Sequence, residues 1–503
     1  MDPRGRGVRK AAAQDGTRSG EPKRRTATAK TRNDGLTGAS GAEARFMAAR
    51  MAAASPPGGD AAARRAREAP RREARESGRA AACGSTGHQG VMRMPAPEAP
   101  ARAIWGTEMR METQPGDFGP PRDEREMSAV ADIMMQSYAM SPADGAAWMQ
   151  RTTRSDLRLL REGGEVAASL VLIRMGQWYG GRSVPVIGVG GVGVSPVHRG
   201  RGTATRLMQH LLREARATGA PLSVLYPATQ PLYRRVGYEH AGTRQEIRLQ
   251  VPSLDFSERT LSLRPIREAD TAAIVLSYQR HARHRPGWLD RGDFSWGRVR
   301  NMRGEVAQGY LVEGSAGVEG YVYVIRRALK DFKQELFLTD VVAHTPAAAR
   351  RILSFLGDHR SLATEAFWYG GVDDPLLLLL REQTYSVKLY MHWMVRVLDV
   401  ASALGARGWA DGLAGALHLE VEDDLFPENQ GRFVLEVSEG QARVRRGGEG
   451  HLRLHARELA PLYTGHLSAQ ALRAMGALEG DDASVRAADS LFAGPPPSLR
   501  DMF

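Results

Sequence analysis

Apolar residues recur with a regular period only from about Pro121 onward, and from there the period changes several times. Met127, Val130, Ile133, Met134 and Tyr138 fall on one face of a 3.6-residue repeat, which predicts a first helix over 123–141. Two apolar stretches, 157–160 and 166–175, flank Gly163 and Gly164 and predict a hairpin. A loop over 176–182 then leads into an apolar, glycine-laced strand, 184–194, which Ser195 and Pro196 end. The next stretch places Leu207, Met208, Leu211, Leu212 and Ala215 on one helical face and Arg206, His210 and Arg213 on the other, with Gly219 closing the helix. A strand over 222–226, a short helix before Val236, Gly237 and Tyr238, and a last strand over 244–251 complete the series.

The same order begins again at Leu261. Helical spacing covers 267–281, strands at 310–312 and 320–325 flank a glycine turn, and a strand (336–343), a helix (347–356) and a strand (367–370) follow. An internal duplication explains the recurrence. Between strand and helix this copy has His344, Thr345, Pro346, Ala347 and Ala348, without glycine or paired arginines, so it is expected to be structural. From about Arg396 the pattern becomes that of an α+β unit of about a hundred residues. It has strands at 418–421, 431–438, 441–445 and 451–456 and helices near 459–463, 468–474 and 483–492. Pro495, Pro496 and Pro497 then stiffen an extended arm that finishes on an aromatic, Phe503. A docked terminus and a frayed one are both open on that evidence.

Composition separates the first part of the chain from the rest. Residues 1 to about 115 are rich in Ala, Arg, Gly and Pro, lack any period and are expected to be disordered; Met111 and Met127 are alternative starting points. The net charge of +12 belongs to this extension: the first 110 residues hold 22 Lys and Arg against 11 Asp and Glu, and everything after holds 47 against 46. An arginine-rich arm for nucleic acid or anionic lipid is the functional alternative there, but the near-neutral body gives no reason to expect a nucleic-acid partner. The single cysteine, Cys83, excludes a disulfide framework and points to a reducing cytoplasm. No apolar run approaches the roughly 20 residues of a membrane span, the strongest being 376–380, and no signal-peptide core is present. His281, His284 and His392 do not fall at metal-ligand spacing, and no metal is expected.

Two glycine patterns compete for the chemistry. Gly188, Gly190 and Gly193 fit G-x-G-x-x-G, but Ser195 and Pro196 intervene before any helix and the nearest acid, Glu214, lies inside one, so a dinucleotide site is disfavoured. Arg199, Gly200, Arg201, Gly202 and Thr203 do open a helix. Glycine there permits a tight turn whose N–H groups converge with the positive helix end, which makes a phosphate cradle; a basic surface turn is the plainer alternative.

The run Val192-x-Val194-x-Pro196-x-x-Arg199-Gly200-Arg201-Gly202 resembles motif A of the GCN5-related N-acetyltransferases, and Ala228-x-x-x-x-Tyr233-x-x-x-Gly237-Tyr238 is similar to their motif B. Over about residues 120–503 the arrangement resembles the Eis (enhanced intracellular survival) family, whose V-x-V-x-P-x-H-R is followed from Val192 to Arg199; Gly200 stands where that family often has arginine. The resemblance implies an α/β and α+β chain with tandem GCN5-related acetyltransferase folds at 119–258 and 259–395, a sterol-carrier-protein-like domain at 396–503 and an extension at 1–118. It implies acetyl-CoA contacts at Val192, Gly193, Val194, Gly200, Arg201, Gly202, Thr203, Ala204, Thr205, Ala228 and Thr229, with Tyr233 as general acid and the α-carboxylate of Phe503 as general base. Amines of aminoglycosides, polyamines or lysine side chains are the implied acceptors, and a homohexamer the implied assembly.

Acid–base chemistry agrees with that assignment. Transfer of an acyl group to an amine needs a base for the nucleophile's proton and a donor for the leaving thiolate. Residues 183–194 contain no Asp, Glu or His, so the base comes from elsewhere. A terminal carboxylate is ionised at neutral pH, and a phenol with a pKa of about 10 keeps its proton. His198 stands at the phosphate turn, and Glu239 and His240 would point opposite ways on a strand. Trp178 and Tyr179, in the predicted loop, are candidates to line an acceptor cavity, and Asp132, Glu165, Asp373 and Asp374 to hold a polycation. Lipid or sterol binding through the last hundred residues is the rival function, against which the charged strand at 441–446 argues weakly.

Overall fold

The computed structural model describes residues 117–503; the basic extension before them, with Cys83 and Met111, lies outside the described residues. The first fold opens with helix α1 (Glu124–Tyr138), capped by the Asp123 carboxylate on the Glu126 N–H and ended by Ala139 in the left-handed region. Its apolar stripe buries Val130, Ile133 and Met134. A second helix, α2 (Pro142–Gln150), was not marked by periodicity; Ser141 caps it and Pro142 starts it. Strands β1 (Leu157–Glu162), β2 (Glu165–Tyr179) and β3 (Arg182–Val194) follow, then α3 (Thr203–Ala217), β4 (Leu222–Leu225), α4 (Gln230–Arg234) and β5 (Glu239–Gln250).

The predicted loop over 176–182 is instead strand and tight turn. β2 runs on to Tyr179, and Gly180 and Gly181 (φ +56° and +83°) reverse the chain into β3. Trp178 and Tyr179 are therefore strand residues, and Tyr179 is fully buried with its hydroxyl donating to the Gln177 carboxamide. It fills core and does not line an acceptor cavity.

The second fold repeats the series: β6 (Ser262–Pro265), α5 (Thr271–Ala282), α6 (Asp293–Arg300), β7 (Gln308–Gly314), β8 (Gly317–Ala328), β9 (Gln334–Ala343), α7 (Pro346–Gly357), β10 (Ala363–Gly370) and β11 (Tyr385–Val397). One continuous sheet joins the two copies, in the order β1-β2-β3-β4-β11-β5-β10-β9-β8-β7-β6. The closing strands are exchanged: β11 pairs antiparallel with β4, from Met394↔Leu225 to Val397↔Leu222, while β5 pairs with β10, from Glu365↔Gln250 to Gly370↔Gln245. Each copy thus completes the other.

The third unit comprises α8 (Val400–Ala406), β12 (Gly415–Glu422), β13 (Gly431–Ser438), β14 (Gln441–Arg446), β15 (Leu452–His455), α9 (Ala456–Thr464), α10 (Ala469–Ala474) and α11 (Asp482–Phe492), with the sheet order β14-β13-β12-β15. Its core side chains Phe433, Leu435, Leu459, Tyr463 and Phe492 are continuous with Tyr179, Val184, Trp393 and Val395 of the acetyltransferase-like sheet. A fully buried ion pair, Arg396 to Asp423 at 2.5 Å, ties β11 to this unit. Among the described residues no helix is long and apolar enough to cross a membrane.

Candidate active site

β3 and β4 pair in parallel only from Val186↔Leu222 to Val189↔Leu225. Beyond that point they part, and β3 bends at a bulge opposite Ser169–Val171, where Gly191 takes φ +55°. The β3 edge from Gly190 to Val194 therefore borders an opening, as a site for an extended chain requires. Val192 and Val194 are half-buried along it; the Val192 carbonyl accepts from the Tyr138 hydroxyl at 3.1 Å and the Val194 carbonyl from Arg199 Nε at 3.1 Å. Gly193 is buried under α1, and a Cβ there would come within 2.6 Å of Ile133, so only glycine fits.

The turn at the end of β3 has the properties of an anion site. Gly200 and Gly202 adopt φ +75° and +73°, and a Cβ on Gly200 would meet open space. Gly202 stands at the N-cap of α3 without a side-chain cap, which leaves the first-turn N–H groups of Thr203, Ala204 and Thr205 for a ligand. Thr203 Oγ1 donates to the His198 carbonyl, and Arg206 braces the turn through the Arg201 carbonyl at 2.9 Å and the Glu162 carboxylate. Arg201 is exposed at its rim. Backbone donors at an uncapped helix start suit an anion by their chemistry.

Ala228 and Thr229 are exposed on the far side of the opening, where the chain leaves β4 for α4. Tyr233, on α4, is 4% exposed and packs edge-on against Tyr238 with centroids 6.1 Å apart.

The C-terminal arm is docked, which removes the frayed alternative. Ser498 bridges in parallel to Thr243 of β5; the Leu499 N–H donates to the Thr243 carbonyl at 3.1 Å and the Ser498 N–H to the Pro286 carbonyl at 3.0 Å. Arg244 Nε donates to the Arg500 carbonyl, and Arg291 pairs with Asp501 at 3.0 Å. The Tyr226 hydroxyl donates to the Asp501 carbonyl at 2.7 Å, and burial raises its pKa, which keeps that donor protonated. Phe503 then lies over β3. A Cβ on Gly188 would stand 3.3 Å from its ring, and one on Gly190 3.8 Å from its carboxyl carbon. Its ring also packs on Tyr226 at 5.3 Å. Gly188 gives room to Met175, whose Cε would stand 2.3 Å from a Cβ there, and to the Phe503 ring, whereas a Cβ on Gly190 would make only ordinary contact with Phe503.

The acids singled out for a polycation do not converge. Asp132 is exposed, Glu165 pairs with Arg125 at 2.9 Å, Asp373 with Arg285 at 2.8 Å, and Asp374 accepts from Trp368 Nε1 and the Leu376 N–H. His198 is half-buried with Nδ1 unpartnered. The Glu239 carboxylate binds Arg234, and His240 stacks on His392 at 4.4 Å, so the two adjacent residues form no dyad. Among the described residues His418, Glu449 and His451 bring possible metal-ligand atoms within 4.8 Å of one another, but His418 Nδ1 already accepts the Glu449 N–H.

Two acetyltransferase (GNAT) domain models match residues 121–241 and 287–397, and a sterol carrier protein domain model matches 400–500. An uncharacterized N-acetyltransferase of Streptomyces griseus is 31% identical over 349 residues, 64% of this chain and 83% of that protein. N-acetyltransferase Eis of Mycobacterium tuberculosis is 25% identical over 382 residues, 71% of this chain and 92% of that protein. Among solved structures, a GCN5-related N-acetyltransferase from Anabaena variabilis superposes with a TM-score of 0.73 at 34% identity, over 77% of this chain and 100% of its own. Eis1 from Mycobacterium abscessus shares the fold with a TM-score of 0.64 at 23% identity, over 77% of this chain and 100% of its own.

Proposed function

For a chain that belongs to the GCN5-related N-acetyltransferases, we propose acetyl transfer to amine groups of aminoglycoside-like, polyamine or lysine acceptors by direct attack, with the docked C-terminus as base. The observation that carries this reading is the Phe503 carboxyl group set against Gly190, beside the opening between β3 and β4.

Acetyl-CoA supplies the activated acyl group. Gly200, Arg201, Gly202, Thr203, Ala204 and Thr205 hold its pyrophosphate, the edge at Val192, Gly193 and Val194 aligns the extended arm, and Ala228 and Thr229 flank it. The Phe503 carboxylate takes a proton from the acceptor amine as the amide bond forms, and the Tyr233 hydroxyl gives one to the sulfur as the thioester breaks. A carboxylate in this place also attracts the cationic acceptor before reaction. The homohexamer and the boundaries at 118, 258 and 395 belong to the same reading and rest on the resemblance, and the cytoplasmic setting rests on the single cysteine, Cys83.

The deciding experiment is thiol release from acetyl-CoA against a panel of aminoglycosides, polyamines and lysine peptides, with the native chain and one extended beyond Phe503. Release that is amine-dependent and abolished by the extension is expected. Full turnover with the extended chain sinks the base assignment, and no release with any amine sinks the acceptor class.

A further inference from the structure

The second fold keeps the shape of a cofactor cleft after losing its chemistry. β9 and β10 pair in parallel from Gln334↔Ala363 to Phe337↔Phe367 and then part, as β3 and β4 do. Arg500 of the C-terminal arm enters this opening and donates to the Val341 carbonyl at 2.9 Å and the Tyr369 carbonyl at 3.4 Å. At the phosphate end, Thr345 caps α7 through the Ala348 N–H and donates to Glu319 at 2.6 Å. Both places where coenzyme A would bind are thus filled by the chain itself.

A cavity of about 230 Å³ remains between these plugs. Its apolar wall is Val341, Ala349, Leu376 and Leu379, and Trp288 and His281 face it with rings 5.3 Å apart. Two of the acids around it are already ion-paired, Asp373 with Arg285 and Asp340 with Arg500, and Asp374 accepts from the Trp368 indole and the Leu376 N–H. Burial, reinforced by Arg500 and Arg285, pushes His281 down to about 3, so its imidazole is neutral, and His344 is bonded to Ser277 Oγ. An anionic ligand would have to displace a carboxylate from Arg285 or Arg500 and a cationic one would have to compete with those arginines or with the hydrogen bonds held by Asp374, whereas a neutral one meets apolar surface, the Trp288 ring and a neutral imidazole.

Ser498 and Arg500 form part of the wall. We propose that this cavity binds a small neutral aromatic or aliphatic molecule, and that its occupant holds the C-terminal arm in its docked position. Ligand that binds only the docked state stabilises that state by mass action.

Fluoroindole titrated into the full chain and followed by fluorine NMR tests the site, since its ring matches the Trp288 and His281 faces. Saturable binding is expected, weakened roughly tenfold or more when Ala349→Phe fills the cavity or Leu379→Trp blocks its rim. Near-ultraviolet circular dichroism identifies which variants fold. Carboxypeptidase release of Phe503 reads the arm directly and is expected to slow at saturating fluoroindole. No saturable signal, or equal binding in folded variants of both kinds, overturns the site; release at an unchanged rate overturns its hold on the arm. Neither readout depends on acetyl transfer, so failure here is distinct from failure of the proposed function.

Discussion

Arg500 and Asp340 form a buried ion pair at 2.8 Å, which fastens the C-terminal arm to the strand that centres the second fold. Arg291 reaches the same carboxylate at 2.5 Å and also holds Asp501, so two acids and two guanidinium groups fix the approach to Phe503. Burial pushes the Asp340 carboxyl up, but the two arginines outweigh it and hold the group below the usual carboxylate range. The second fold thereby serves the first: it anchors the last residues of the chain beside the opening in β3 and β4.

Asp340→Asn leaves both arginines without their shared charge. Removal of one partner from a buried pair typically costs about 3–5 kcal/mol, and part of that cost is expected to appear as undocking of the arm. Urea unfolding should show the lost stability, and kcat should fall while the KM for acetyl-CoA stays within about threefold, because the cradle is untouched. An unchanged kcat in a destabilised but folded variant detaches the arm from catalysis.

Tyr233→Phe removes a hydroxyl from a buried ring and leaves the packing against Tyr238 in place. General acid catalysis is worth about a hundredfold or more, so kcat is expected to drop by at least that factor with folding retained. Steady-state thiol release measures it; kcat within a few-fold of the native enzyme removes the acid role.

Gly202→Val tests the cradle. At φ +73° a β-branched residue is strained, and its Cβ would stand 3.5 Å from Arg206 Nη1, the group that braces the turn. Saturation by acetyl-CoA should need at least about tenfold more cofactor, with kcat changed far less, since the substitution leaves Tyr233 and Phe503 in place. Isothermal titration with coenzyme A gives the affinity directly, and an unaltered affinity argues for a mere surface turn.

The features legible in the sequence are those written locally. The five apolar residues of α3 and the turn before it share one short stretch, and the structure buries Leu207, Met208, Leu211, Leu212 and Ala215 together. β11 went unread for a physical reason: its first half is half-buried or exposed while Trp393 to Val397 are buried on both faces, so it has no period of two. The exchange of β5 and β11 depends on pairings between residues more than a hundred positions apart, which no local pattern encodes. In β3 the glycines are visible, but their use is not: Gly188 makes room for Met175 and the Phe503 ring, and Gly193 for Ile133. The only local trace of the docked arm was an aromatic at the end of a proline-stiffened stretch.

Histidines that the fold holds neutral set the response of stability to acid. Burial, with His392 and His240 beside it, pushes His466 down to about 4, and burial likewise lowers His240 and His392, which stack at 4.4 Å. In the unfolded chain each returns to about 6.5. Between pH 6.5 and about 4 the unfolded state therefore binds protons that the folded state refuses, and stability falls as pH falls through that window. The loss assigned to His466 alone between pH 7 and 5 is about 2 kcal/mol. Urea midpoints at these two pH values should diverge in the native chain, and His466→Gln should shrink the difference by about that amount, since glutamine binds no proton in either state. A variant with the same pH dependence as the native chain places the acid sensitivity elsewhere, with His281 next in line because burial holds it at about 3.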